Sequence, residues 1–364
     1  MKILFIGQLG EGQTTRMRME SLRDLGHQII PIDSSQVWAK QRWLSRQAQQ
    51  KAGRGAAVDW INDALLRAGA RARPDLLWAE KQEYIHAGTL QELRRKGVRL
   101  LHYTPDPYWS LSWKRTRLMD ASLPLFDIVI TSKQYELDEY RRRCQRAMYM
   151  PLGYADQVHR PLAPVDPCVR QAFTCDVGFV GGWEPRRQRL LASVAGTGCD
   201  VKIWGYSWDH LLDGRWTPRR MLRLRRLAGG DTFAIRHDPR LAPAVQGGEI
   251  LGDTYAWALT GARIGLGFLR TVCPDQHTTR TFEIPACGSM LLADRTDEHS
   301  EFFDEGREAD FFSSEEELTD KVRFYLANEA VRERVAAAGL RRCLVSRYSY
   351  RDRLISVLQQ MENG

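Results

Sequence analysis

Residues 277–288 read His-Thr-Thr-Arg-Thr-Phe-Glu-Ile-Pro-Ala-Cys-Gly, and residues 289–293, Ser-Met-Leu-Leu-Ala, follow with the composition of a buried strand. His277, Arg280 and Glu283 therefore lie in a short polar run between apolar elements. If a helix begins near His277, the other two residues lie close to its N-terminal end. Exposed backbone N–H groups and the helix dipole favour an anion there, such as a diphosphate. The stretch predicts a ligand site.

The size and composition of the chain are those of a globular protein with two domains. It has 364 residues, of which 43% are hydrophobic, enough for two separate cores. No apolar run is long enough for a transmembrane helix, and the N-terminal apolar run is too short for a signal peptide. The seven cysteines are scattered, without a Cys-x-x-Cys pair, so the sequence predicts neither a disulfide framework nor a zinc site. We expect a reducing, cytoplasmic location.

The first half of the chain has the pattern of a doubly wound sheet. A strand at 2–6, a glycine loop, a helical pattern at 15–25 and a second strand at 27–32 form a βαβ unit. Further strands are predicted at 76–79, 98–103, 128–131 and 147–150. The intervening segment 36–72 is expected to be helical, with Trp38, Trp43 and Trp60 on a packed face.

The second half repeats this pattern after a break at Pro151-Leu-Gly-Tyr154. The segment 155–174 contains three prolines and is expected to be an interdomain linker. A second βαβ series then begins at Cys175–Val180. Its further strands are predicted at 200–204, 264–268, 289–293 and 309–312. Ser314 with Glu317 forms a capping box before a helix, and the end of the chain is also predicted to be helical.

The chain has a net positive charge and one segment that is rich in arginine. The net charge is +8 and the isoelectric point about 9.2, which fits an anionic substrate, an anionic membrane or nucleic acid. Residues 215–226 carry Arg215, Arg219, Arg220, Arg223, Arg225 and Arg226. This segment is either a solvated amphipathic helix or a patch for an anionic membrane or an acidic acceptor. No nucleic acid is expected, because no aromatic stacking platform is interleaved with the arginines.

The glycine loop Gly7-Gln-Leu-Gly10-Glu-Gly12 admits three interpretations. It follows a strand and precedes a helix, and Asp33 ends the next strand, as in dinucleotide-binding oxidoreductases that use NAD. The order of the glycines differs from the usual dinucleotide-binding fingerprint. A short-chain dehydrogenase would also need a Tyr-x-x-x-Lys pair, and no tyrosine of this sequence has a lysine four residues further on. The loop is otherwise a tight turn, or a segment where Gly10 and Gly12 contact a donor sugar or its phosphates.

A second glycine turn precedes two arginines. Gly181 and Gly182 allow the backbone to approach a ligand closely. Arg186 and Arg187 stand at the start of the next helix, where cations oppose the helix dipole. A bound diphosphate would remove this conflict; alternatively, both side chains project into solvent.

Burial of Glu283 without a partner would cost several kcal/mol, and ribose hydroxyls would supply the hydrogen bonds.

Together these motifs resemble the CgeB-like proteins, named for a spore maturation protein, within the wider group of glycosyltransferases with a GT-B fold. The resemblance is strongest at 277–293 and continues through Glu301-Phe-Phe-Asp-Glu-Gly306 and Lys321-Val-Arg323. In the first half it is carried by the glycine loop before an arginine-bearing helix, by His102-Tyr-Thr-Pro-Asp106, and by Pro151-Leu-Gly-Tyr154 before His159-Arg-Pro.

The resemblance implies an α/β protein with two Rossmann-like doubly wound domains facing across a cleft. The acceptor-side domain would comprise residues 1–154, with the C-terminal helix 348–364 packing back on it. The domain that binds the nucleotide sugar would comprise residues 155–347.

The resemblance also assigns donor-binding residues. In related retaining enzymes a pair of glutamates binds the donor. Glu283 matches the second, which holds the ribose, and Asp275, a shorter carboxylate, stands at the first position, near the sugar. Arg187 carries over as the cation for the diphosphate, with Arg186 as the alternative. Trp204 and Gly205, at a strand end, are placed to flank the base.

We therefore expect a retaining, metal-independent hexosyltransferase that uses a nucleotide-diphosphate sugar and no other cofactor. Arg187, Arg280 and the backbone near His277 and Thr278 would stabilise the charge that develops on the departing diphosphate. Asp106 and His102 are the candidates on the acceptor side. Asp106 would orient or deprotonate an acceptor hydroxyl, although a retaining reaction needs no enzymic base.

The acceptor would be a glycan, a protein or a small molecule, and the location cytoplasmic or peripheral at the inner membrane face. The alternatives are a non-catalytic GT-B scaffold and an NAD-binding oxidoreductase.

Overall fold

The computed structural model describes residues 1–111, 115–208, 238 and 240–362. These residues form two compact units. Unit 1 comprises Met1–Leu152 with Tyr350–Gly364, and unit 2 comprises Gly153–Ser349. The limits expected from the sequence are 1–154 with 348–364 and 155–347. The arginine-rich segment 215–226 lies outside the described residues.

Unit 1 contains a parallel six-stranded sheet in the order β2-β1-β3-β4-β5-β6. Its strands are β1 (Lys2–Gly7), β2 (Gln28–Asp33), β3 (Leu76–Glu80), β4 (Arg99–Thr104), β5 (Ile128–Thr131) and β6 (Ala147–Tyr149). Each of the six predicted strands is present. Every residue of β3 and β5 is buried, as expected for a parallel sheet with helices on both faces.

The helices of unit 1 up to Leu152 cover the sheet. They are α1 (Thr14–Asp24), α2 (Ser34–Ala39), α3 (Trp43–Ala52), α4 (Ala56–Ala72), α5 (Ala87–Arg95), α6 (Arg117–Ser122) and α7 (Leu137–Arg141), with 3-10 turns at Leu123–Leu125 and Gln134–Glu136. The prediction of a packed tryptophan face over 36–72 is wrong in part. Trp38 is buried in the core, whereas Trp60 and Trp43 are exposed, by 38% and 70%.

Unit 2 contains a second parallel six-stranded sheet, in the order β12-β11-β10-β7-β8-β9. Its strands are β7 (Cys175–Val180), β8 (Val201–Trp204), β9 (Val245–Gly247), β10 (Ala262–Gly267), β11 (Met290–Asp294) and β12 (Asp310–Phe312). In this order the first strand of the unit, β7, lies at the centre beside β10. Strand β9 was not predicted.

The described helices of unit 2 include three that were not predicted. The set is α8 (Pro167–Phe173), α9 (Pro185–Ala195), α10 (Gly252–Gly261), α11 (Arg280–Ala286), α12 (Asp297–Phe302), α13 (Glu315–Ala327) and α14 (Glu329–Val345). The expected linker 155–174 thus contains a helix, α8, and α10 and α12 are also new. Pro167 begins α8 because the first helical residue needs no N–H partner, and Asp166 caps the helix through the N–H groups of Cys168 and Val169. The capping box is present, since the N–H of Glu317 donates to the Ser314 hydroxyl.

The last helix, α15 (Tyr350–Glu362), returns to unit 1. Its residues Leu354, Val357, Leu358 and Met361 join the core on the face of the sheet that also holds Phe5 and Trp78. The Arg99 guanidinium donates to the Met361 carbonyl at 2.8 Å. This placement agrees with what the resemblance implies for the C-terminal helix.

A buried ion pair connects the helix and strands of this face. Arg18 on α1 and Glu80 at the end of β3 are both 0% exposed, and Arg18 Nε lies 3.2 and 3.1 Å from the two carboxylate oxygens. The guanidinium carbon lies 4.7 Å from the ring centroid of Tyr103 on β4 and 4.8 Å from that of Tyr350 on α15. Burial opposes the charge of Arg18, but Glu80 and the two tyrosines raise its pKa above the ordinary value. The guanidinium of Arg18 on α1 therefore contacts residues of β3, β4 and α15.

Replacement of Arg18 by methionine would leave the Glu80 carboxylate buried without its cation. We expect the free energy of unfolding of unit 1, measured by urea denaturation, to fall by about 3–5 kcal/mol. The matched control is Arg16→Met on the same helix, where the side chain is 50% exposed. A surface change of this kind should alter stability by no more than about 0.5 kcal/mol. Equal effects of the two substitutions would contradict the role given to Arg18.

Candidate functional site

Two arginines of unit 2 meet at the carboxyl ends of β7 and β10. The strand order changes direction between these two strands, and ligands of doubly wound sheets bind in the crevice at such a point. Arg187 on α9 donates from Nη1 to the Gly182 carbonyl at 2.9 Å and from Nη2 to the Phe268 carbonyl at 3.3 Å. Arg280 on α11 donates from Nε to the Val180 carbonyl at 2.9 Å. The fold thus brings both predicted diphosphate cations to one edge of the sheet.

Glu283 is the buried anion beside these cations. Its carboxylate, on a residue that is only 2% exposed, accepts from the Tyr255 hydroxyl at 2.5 Å and from Arg280 Nη1 at 2.8 Å. His159 Nε2 lies 3.5 Å from the other carboxylate oxygen. Burial alone would raise the pKa of Glu283, but His159, Arg280 and the Tyr255 hydroxyl lower it below the ordinary value. We call these four residues the Glu283 network. Protein groups therefore satisfy the carboxylate, and its contact with a ribose remains a prediction.

The hydrogen bonds of His159 indicate its protonation state. The backbone N–H of Ala155 donates to Nδ1 at 2.9 Å, so Nδ1 carries no proton and Nε2–H faces Glu283. Burial lowers the pKa of His159 below the ordinary value, and the ring is neutral at pH 7. Neither His159 nor Tyr255 was predicted as a site residue. No local pattern links Tyr255 with Glu283, which lies 28 residues further along the chain.

The predicted helix start near His277 is wrong. The helix α11 begins at Arg280, and His277 and Thr278 lie in the loop before it. The N–H of Thr278 is bound by the Thr281 hydroxyl at 3.1 Å. The buried His277 ring pairs with the Glu298 carboxylate and packs against aromatic rings of α11 and α12. These contacts hold the loop against the helices of unit 2, and a direct role of His277 and Thr278 in donor binding remains a prediction.

The remaining predicted charged residues have partners in the protein. Arg186 forms an ion pair with Asp294, and Arg187 is buried, so the alternative that both arginines project into solvent is wrong. The Asp275 carboxylate accepts from Arg270 Nη2 at 3.0 Å and from the Cys273 thiol at 3.2 Å. Asp275 is therefore held as an anion close to the same strand end, and its contact with a sugar remains a prediction.

The glycines after β7 and β8 permit close backbone packing. Gly205 has φ +140°, and a Cβ there would lie 2.1 Å from the Gly181 carbonyl oxygen. A Cβ on Gly182 would lie 2.4 Å from the ring of Tyr206, which is 47% exposed and was not predicted. The buried Trp204 ring stacks on Phe173. An exposed aromatic ring, that of Tyr206, thus directly follows the two residues that sequence reasoning selected.

The glycine loop of unit 1 is a turn that Asp33 supports. Gly12 has a left-handed backbone, φ 71°, and a Cβ on Gly10 would meet only Gln13, at 3.8 Å. The Asp33 carboxylate accepts from the N–H of Leu9 at 3.1 Å and from that of Ser35 at 2.9 Å, where it caps α2. Asp33 therefore supports the loop and the next helix.

The two predicted acceptor-side residues differ in accessibility. His102 on β4 is 1% exposed and packs against Phe126, and burial lowers the pKa of its imidazole to about 4. The ring is therefore neutral and inside the unit. Asp106 is partly exposed in the following loop, where its carbonyl accepts from the Thr104 hydroxyl at 3.0 Å. Asp106 is the more accessible of the two.

Metal-ligating side chains are not clustered in the part of the chain that the structure describes. There, no three His, Cys, Asp or Glu side chains are grouped to hold a metal ion. No helix in those same ranges has the length and apolar character needed to cross a membrane.

Residues 186–359 match a family model described as glycosyl transferase-like. This segment contains Arg187, Arg280 and Glu283. No curated protein matches the sequence. The match supports the glycosyltransferase superfamily for this chain.

Several solved structures have the same fold over the full chain. Sucrose-phosphate synthase from Thermosynechococcus elongatus gives a TM-score of 0.67 at 14% identity, covering 100% of this chain and 98% of that one. HepE from Anabaena in complex with UDP-glucose gives 0.62 at 12% identity, covering 100% of both chains. A trehalose 6-phosphate synthase from Burkholderia multivorans gives 0.60 at 12% identity, covering 100% and 99%. The expected GT-B fold is thereby confirmed.

The Tyr255→Phe substitution tests the Glu283 network. Loss of the hydroxyl donor to a buried carboxylate should cost about 1–3 kcal/mol of unfolding free energy at pH 7, measured by urea denaturation. The pKa of Glu283 is lowered in the folded protein. The ionised carboxylate therefore stabilises the fold above about pH 4.5, and this contribution is lost as the pH falls below that value. The difference between wild type and variant should therefore shrink in acid. Tyr84→Phe in unit 1 is the control, because Tyr84 lies outside the Glu283 network. A stability difference between wild type and Tyr255→Phe that does not change with pH would contradict the network.

Proposed function

We propose that the protein transfers a sugar from a nucleotide-diphosphate sugar to an acceptor, with the donor bound by unit 2. The observation that carries the proposal is the convergence of Arg187, Arg280 and Glu283 at the carboxyl ends of β7 and β10, inside the segment that matches the glycosyl transferase-like family. Two cations and a lowered-pKa carboxylate at a sheet switch point suit a ligand with phosphates at one end and hydroxyls at the other.

Arg187 is the principal candidate for the diphosphate. Two of its nitrogens donate to backbone carbonyls, which carry no net charge. Glu184 Oε1 lies 3.7 Å from Nη2, so the positive charge of Arg187 is not fully neutralised. Its Nε is buried and makes no hydrogen bond to any described residue. An oxygen of a bound diphosphate would satisfy this donor. Arg280 is already paired with Glu283. In the proposed complex Arg280 would also contact the diphosphate, while Glu283 would contact the ribose.

In the proposed reaction, the bond between the anomeric carbon and the diphosphate oxygen breaks and a bond from the acceptor oxygen to that carbon forms. The acceptor proton passes to the departing diphosphate, so no enzymic base is required in the retaining course that we favour. The arginines stabilise the charge on the leaving group, and we propose that no metal ion is needed. Asp275, held by Arg270, would bind hydroxyls of the transferred sugar.

The choice of donor follows from the similar structures. HepE has been crystallised with UDP-glucose, and two other similar structures are sucrose-phosphate and trehalose 6-phosphate synthases. We therefore propose a hexosyl donor and select UDP-glucose as the first compound to test. We retain Asp106 as the proposed acceptor contact, the CgeB-like group as the proposed subfamily, and the cytoplasm as the proposed location.

Titration calorimetry with UDP-glucose and other nucleotide-diphosphate sugars in the presence of EDTA tests this function. We expect one donor to bind, and Glu283→Gln and Arg187→Met each to weaken its binding at least tenfold, or by about 1.4 kcal/mol. Arg189→Ala on α9 and Glu329→Ala on α14 are matched controls, because both side chains are largely exposed.

Three results would count against the proposal. Binding that is unchanged in both site variants would show that the donor site is wrong. Binding that disappears with EDTA would show that a metal ion is required. Donor binding without hydrolysis or transfer would favour a non-catalytic GT-B scaffold.

A further inference from the structure

The helix α3 of unit 1 buries none of its residues. All ten residues from Trp43 to Ala52 are at least partly exposed, and Trp43 and Leu44 are 70% and 72% exposed. A helix of this length is marginal in water on its own, and most protein helices gain their stability by packing an apolar face. Here the two largest apolar side chains of the helix face away from the protein.

The Gln49 side chain joins α3 to the start of α4. Gln49 donates to the Gln41 and Ser45 side chains, each at 2.9 Å, and accepts from the N–H of Ala57 at 2.8 Å. Gln49 therefore marks the side that faces α4. At 3.6 residues per turn, the opposite side of the helix carries Trp43, Leu44 and Lys51. The apolar pair and a cation thus share the outward side.

The charge around this apolar pair has one sign. Residues 34–58 contain five cations and no aspartate or glutamate. These cations are Lys40, Arg42, Arg46, Lys51 and Arg54. In the ranges that the structure describes, none of the five forms an ion pair, whereas other arginines on helix surfaces, such as Arg16 and Arg23, have acidic neighbours one turn away. We call these five cations with Trp43 and Leu44 the α3 surface.

We propose that the α3 surface binds an anionic phospholipid membrane. Trp43 and Leu44 would enter the boundary between headgroups and acyl chains, where tryptophan is favoured, and the cations would contact lipid phosphates. A nucleic acid would use the cations but would leave the aliphatic Leu44 exposed. The contact would be peripheral. It involves none of the residues of the proposed donor site, so the two proposals can fail independently.

Vesicle flotation of the full-length protein tests this surface. We expect the wild type to float with phosphatidylcholine vesicles that contain phosphatidylglycerol and to lose binding as salt is raised or when phosphatidylglycerol is omitted. Trp43→Ser/Leu44→Ser should weaken binding at least tenfold. Lys51→Gln should weaken it about fivefold, which corresponds to ~1 kcal/mol for one cation. Leu344→Ser/Val345→Ser on α14 is the matched control, since it removes another exposed apolar pair.

Circular dichroism and thermal melting should be unchanged in all variants, because each substituted side chain is exposed. Failure of the wild type to bind anionic vesicles would overturn the proposal, as would equal binding to neutral and anionic vesicles. Equal losses in the α3 and α14 apolar variants would place the contact elsewhere. Binding to soluble polyglutamate but not to vesicles would identify an acidic protein as the partner and would also overturn it.

Discussion

The ion-paired carboxylate of Glu283 is the constraint on which the organisation of unit 2 depends. A buried carboxylate is tolerated only if charge and hydrogen bonds compensate its loss of water. Tyr255 from α10, Arg280 from α11 and His159 from the segment before α8 supply that compensation. Arg280 in turn binds the end of β7, so that the charge requirement of one side chain fixes several elements around the switch point of the sheet. The same compensation keeps Glu283 ionised, which is the state needed to accept hydrogen bonds from a ribose.

Unit 1 also contains a buried carboxylate that needs a charged partner. Arg18 and Glu80 are fully buried at the carboxyl end of β3, and Tyr350 brings the C-terminal helix to the same guanidinium. Replacement of such pairs by apolar residues is often neutral or stabilising in other proteins, so their value lies in fixing which elements meet. In unit 1 the pair determines where the returning helix docks on the sheet. In unit 2 the network holds Arg280 at the carboxyl end of β7.

Sequence reasoning could predict the elements whose signals are local. Apolar runs predicted eleven of the strands, and the Ser314 capping box predicted the start of a helix. It could not predict α8, because three prolines in one segment favour a linker, although Pro167 occupies a position where proline favours a helix. Tyr255 was missed because its contact with Glu283 depends on tertiary packing. Trp43 was misplaced because an aromatic residue in a helical pattern usually indicates a core.

Hydrogen–deuterium exchange of the full chain with and without UDP-glucose, or whichever nucleotide sugar binds, tests the central claim most directly. If unit 2 holds the donor at its switch point, exchange should slow in peptides that contain Gly181–Gly182, Phe268 and 277–283. Protection confined to the glycine loop at 7–12 of unit 1 would contradict this account and would favour the dinucleotide interpretation. Saturating donor without protection at the ends of β7 and β10 would show that the Glu283 network is a structural feature only.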